Sequence, residues 1–156
     1  MSLTLPLAPL HTFSWTYEPL AGLLRGEWAG PVPNDVLPAC YGQLLVAAKA
    51  HDCRFWLVNM QRRNWHDAAF AEWFSTVFAA RASQAVGQPL FIACVVRPGQ
   101  RPQVEGQCNE QLLRQITAYN VFPFYFTEER LARAWLRDQQ AAEAPPAAPQ
   151  LAQPVA

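Results

Sequence analysis

Leu90–Val96 reads LFIACVV, seven apolar residues in an unbroken run, with Gly87 and Pro89 before it and Pro98-Gly99 after it. A run that short, closed by turn formers at both ends and rich in β-branched residues, predicts a strand covered on both faces. Arg54–Met60 contains a second such run, Phe55-Trp56-Leu57-Val58. Between the two runs, Phe70, Trp73, Phe74, Val77 and Phe78 recur at i, i+3, i+4, i+7 and i+8, the spacing of one helix face. Strand, helix, strand in that order predicts a right-handed crossover and neighbouring parallel strands.

The pattern continues in both directions. Upstream, Phe13, Trp15 and Tyr17 alternate, Glu18-Pro19 reads as a turn, and Leu20–Trp28 reads as a second strand, giving an antiparallel hairpin. Asp35 is the expected cap of a helix with Pro38 in its first turn and Leu37, Tyr41, Leu44, Leu45 and Ala48 on one face, ending near His51-Asp52. Asp67 is the expected opening of the aromatic helix. Downstream, Asn109 caps a helix carrying Leu112, Leu113, Ile116 and Tyr119, and Val121–Phe126 reads as a short aromatic strand. Thr127 caps a last helix bearing Leu131, Ala134, Trp135 and Asp138. The element order is β-β-α-β-α-β-α-β-α. It predicts a single-domain α/β fold with a mixed, mostly parallel sheet of about five strands, its first strand an antiparallel edge.

The chain has 156 residues, of which 51% are apolar, enough for one core. Residues 1–10 read as an N-terminal extension, 11–140 as the folded domain, and 141–156, with Pro145, Pro146, Pro149 and Pro154 among Ala and Gln, as a disordered tail. Twelve basic residues balance twelve acidic ones, so no net field draws the chain to nucleic acid or an anionic membrane. No apolar run is long enough for membrane insertion, and Met1–Leu10 lacks the basic start of a secretory signal. Cys40, Cys53, Cys94 and Cys108 form no CxxC pair and read as buried thiols, in keeping with a cytoplasmic location.

Four segments, LLRGEWAG at Leu23–Gly30, FWLVNMQRRNW at Phe55–Trp65, LFIACVV at Leu90–Val96 and FPFYFTEERLARAWL at Phe122–Leu136, together with the element order, resemble the STAS domain and the related SEC14/STAS group. The resemblance covers about Phe13–Arg137. It implies a regulatory module that works through protein contacts. Anti-sigma factor antagonists of that family carry a phosphorylated Ser or Thr in the loop after the central strand. The matching stretch here, Asn59–Asp67, holds neither, so that switch is not carried over.

That loop is nonetheless the expected site, because open parallel sheets bind ligands beyond the carboxyl ends of their strands. It offers Arg62 and Arg63 as anion donors, Asn64 as a hydrogen-bonding group, Trp65 as an aromatic platform and His66 as a titratable group. The competing reading is a solvated loop in which Trp65 packs on the next helix and Asp67 caps it. Trp15, Trp56, Phe74 and Trp135 suit the core. Trp28, Trp65 and Trp73 are harder to bury together, and an exposed aromatic interface is the alternative. RPGQR at Arg97–Arg101 reads as a polar turn rather than an anion site.

His11, His51 and His66 lie far apart without ligand spacing, and GxSxG, GxGxxG and GxxxxGK are absent, so neither metal, cofactor nor catalytic residue is expected. The expected function is a non-catalytic regulatory or protein-interaction module whose partner is another protein or a second copy of itself, as a homodimer. The alternative is a small-molecule or lipid carrier, or an atypical enzyme. That alternative needs an apolar pocket of ~300 Å³ or more near residues 61–67, with Trp28 and Phe70 as lining.

Overall fold

A computed structural model describes residues 12–63, 68–87, 89–102 and 110–143. Five strands form one sheet in the order β1-β2-β3-β4-β5: β1 (Phe13–Glu18), β2 (Leu23–Trp28), β3 (Phe55–Asn59), β4 (Leu90–Val95) and β5 (Val121–Phe126). β1 pairs antiparallel with β2, and every other pairing is parallel. Trp56 lies opposite Ile92, so the two apolar runs are adjacent interior strands. The helices are α1 (Leu37–His51), entered through the 3-10 turn Asn34–Val36; α2 (68–85); α3 (Glu110–Ala118); and α4 (Glu129–Glu143). α4 passes the expected domain end at residue 140, and residues 144–156 lie outside the described residues, as do 1–11.

Strands added one after another in a single direction, all with right-handed crossovers, send every crossover helix to the same face. Leu37–Ala48 of α1, Phe70–Ala82 of α2 and Ile116 of α3 accordingly share one core with Leu24, Trp28, Trp56, Val58, Ile92 and Val121. The opposite face carries Leu23, Leu57, Ala93 and Val95 under Ala132 and Leu136 of α4. β3 and β4 are thus covered on both sides, which is why their sequences are continuously apolar.

Several expected details differ. α2 contains a π turn at Phe74–Phe78; the wider turn rotates the helix face, so Ser75 is buried while Val77 is exposed. Trp15 is 40% exposed because β1 is a sheet edge, with Phe13 and Tyr17 taking the covered places. α4 buries Ala132 and Leu136 with Trp135, rather than a face including Leu131 and Asp138. α4 begins at Glu129, one residue later than a Thr127 cap would set it, and the Glu128 carbonyl accepts its first bonds, from Leu131 and Ala132. Asp35 makes no cap bond to α1, because the 3-10 turn already leads the chain into the helix. α3 buries only Ile116 and leaves Leu113 exposed, and Tyr119, expected on its face, falls just past its end and is exposed as well.

Candidate functional site

The loops following β3 and β4 are stitched together. The Met60 N–H donates to the Val95 carbonyl at 2.8 Å, extending the ladder past the strand ends. Asn59 Oδ1 accepts from the Gln61 N–H at 2.9 Å, turning the chain there. Gln100, only 6% exposed, accepts from the Arg97 N–H at 2.9 Å and donates through Nε2 to the Arg63 carbonyl at 3.2 Å. The Arg97 guanidinium donates to the Gln61 carbonyl. These bonds join the loop that carries exposed Arg62 to the one that carries exposed Arg97 and Arg101, both loops lying beyond the carboxyl ends of neighbouring strands. Among the described residues of the two loops, 60–63 and 96–102, no side chain is acidic.

The expected site residues separate. Arg62 is exposed, as the anion-donor reading requires. Arg63 is not a surface donor: it is 1% exposed, with its guanidinium carbon 4.5 Å from the Trp28 ring centre and 5.8 Å from that of Phe70. Cation–π attraction and aromatic packing hold it inside. Trp28 is fully buried, 4.7 Å from Phe13 and 5.8 Å from Tyr41, so it contributes to no exposed aromatic patch. Trp73 is half-buried against Tyr41 and Phe78. Asn64, Trp65 and His66 lie outside the described residues, as do Asp67, Cys108 and Asn109.

Tyr41 sits at the hub of this interior, within 5.4–5.6 Å of Phe70, Phe74 and Phe78. Burial pushes its hydroxyl up to about 12, against the opposing pull of the Arg63 charge. Burial likewise raises the Cys40 and Cys53 thiols, which therefore stay protonated at neutral pH and are poor nucleophiles. Next to Tyr41, a cavity of ≈ 30 Å³ is lined by Met60, Phe70, Phe74, Cys94 and Tyr125 among others. It holds about one water, an order of magnitude less than the ~300 Å³ of a small-ligand pocket, and Trp28 is not among its walls. No helix among the described residues is long and apolar enough to cross a membrane.

Arg97–Arg101, expected as a polar turn rather than an anion site, joins the loop after β3 through Gln100 and Arg97. RPGQR looks like any polar turn, and nothing in its spacing signals that the Gln side chain is buried or that the turn meets Gln61–Arg63. No family model matches this chain, and neither a curated protein nor a solved structure does.

Proposed function

We propose that this chain is a non-catalytic, STAS-like interaction module that docks an acidic segment of another protein at the carboxyl edge of its sheet. The rim of Arg62 and Arg97, joined by Arg101, carries the reading: two loops distant in sequence are locked into one cationic surface. Positive side chains grouped on a rigid rim attract and orient carboxylates, and their effect is lost with salt. The protonated interior thiols and the filled interior support a binding role over a chemical one. The element order on which the STAS resemblance rests supports the regulatory class.

The test is fluorescence polarisation with a labelled Asp/Glu-rich peptide. Wild type should bind it, with affinity falling as salt rises. Arg62→Glu/Arg97→Glu should lose at least about tenfold, the equivalent of ~1.4 kcal/mol, while its melting temperature stays within a few degrees. Absence of binding at low salt, or binding indifferent to the double charge reversal, would defeat the proposal.

A further inference from the structure

We propose that two copies of this chain associate about a two-fold axis, with β1 pairing antiparallel to β1 and the two α1 helices packing beside each other. The surface shares no residue with the arginine rim, so either proposal can fail without the other.

The sheet has two edges, and they are not equivalent. β5 carries Pro123, which has no N–H to offer a new strand. β1 (FSWTYE) has no Pro or Lys, and its register with β2 runs without a bulge from Phe13–Trp28 to Glu18–Leu23. Its single charge, Glu18, is held by both terminal nitrogens of Arg133 at 2.9 Å. Proline, lysine and a bulge, three devices that usually blunt an edge strand, are therefore missing from β1.

Backbone direction fixes how a second copy would fit. The Thr12 carbonyl accepts from the Ala29 N–H, and the Glu18 carbonyl from the Gly22 N–H. Even-numbered residues thus turn their peptide groups toward β2, and Phe13, Trp15 and Tyr17 turn theirs outward. In an antiparallel pair, opposed residues share a face, so the two-fold must pass through a residue rather than between two. An axis through Trp15 sets Trp15 opposite itself and Phe13 opposite Tyr17 of the second copy. All these residues face outward, giving roughly six hydrogen bonds. An axis through Thr16 keeps only the Trp15–Tyr17 pairs, roughly four. The Trp15 axis is favoured.

The same axis makes sense of α1. Trp15 borders a shallow hollow formed with Ala39, Gly42, Gln43 and Val46, the outer stripe of that helix. Val46 is 72% exposed, and the stripe carries no charge. Turned about an axis beside residues 42–43, the two helices run antiparallel, so their dipoles oppose favourably. Exposed Asp35 at the start of one helix then faces the end of the other, where exposed Lys49 stands, and symmetry repeats the contact. This complementarity of the surface with itself identifies a second copy as the occupant.

Sedimentation velocity over about 1–200 µM tests it. Wild type should reach twice the mass of the chain. Gly42→Arg should be monomeric yet fully folded, because a Cβ at Gly42 meets nothing within 4 Å and Gly is a poor helix former. Trp15→Lys should also be monomeric. Lys49→Asp should weaken association about tenfold by opposing Asp35, and adding Asp35→Lys should restore it. A wild-type monomer throughout the range, a dimer that survives both Gly42→Arg and Trp15→Lys, or a charge swap that restores nothing would each overturn the proposal.

Discussion

Glu129→Gln probes what fastens α4 to the sheet, and the structure sets its size. The Glu129 carboxylate accepts from Arg25 at 2.7 and 3.1 Å and from Arg133 at 3.1 Å. Arg25 also holds Glu27 at 2.7 Å, and Arg133 holds Glu18 at 2.9 Å, so one network joins β1, β2 and α4. Exposed ion pairs give ~0.2–1 kcal/mol, hydrogen bonds to charged groups up to ~1.5–3, and an acid in a first helical turn ~0.3–1. The Glu129 side chain is 30% exposed, so solvent screens part of this, and a loss of about 1–2 kcal/mol at pH 7 is expected. That corresponds to a melting temperature lower by roughly 4–8 °C for a domain of this size. Arg25 beside Glu129, and Arg133 beside Glu18, hold both carboxyls below the usual carboxylate value of 4.5. A folded pKa below the unfolded one gives stability that is complete above the unfolded value and fades as pH falls through the folded one. Urea unfolding followed by circular dichroism, at one fixed protein concentration, should therefore show the wild-type advantage at pH 7 and its progressive loss below pH 4.5. A gap under about 0.3 kcal/mol at pH 7, or an equal gap at pH 7 and pH 3, would refute the reasoning.

Two further outcomes are expected. Gly26→Val should cost about 1–3 kcal/mol in chemical denaturation, because a Cβ there lies 3.2 Å from Leu44 Cδ2 and 3.3 Å from Phe13 Cε1; an unchanged midpoint would mean that α1 rides less closely on β2 than described. Tyr41 should ionise only near pH 12, as a late step in ultraviolet titration that disappears in Tyr41→Phe. Its folded pKa lies above the ordinary value of 10, so its contribution to stability is intact below pH 10 and lost as pH rises through about 12; tyrosines titrating together near 10 in the folded protein would contradict this.

Phe55–Val58 and Leu90–Val96 identified themselves as doubly covered strands because unbroken apolar character is a local property, and burial on two faces is what selects it. Helix faces were less secure. The stripe through Phe70, Trp73, Phe74 and Val77 assumes a regular turn, and the π turn at Phe74–Phe78 breaks that assumption in a way no spacing rule records. Trp15, Trp28 and Arg63 show the sharper limit. Alternation placed Trp15 inside and charge placed Arg63 outside, yet Trp15 lies on the outermost strand while Arg63 is drawn in over Trp28 and Phe70.

Periodicity, turn chemistry and run length act within a few residues, so the chain alone determined the order of elements, the β3–β4 neighbourhood and the antiparallel first strand. Which face each helix covers, which edge stays open, and the meeting of Arg97 with the Gln61 carbonyl depend on groups separated by dozens of residues. Only the packed sheet brings those groups within hydrogen-bonding range, and only there does a polar turn become part of a cationic rim.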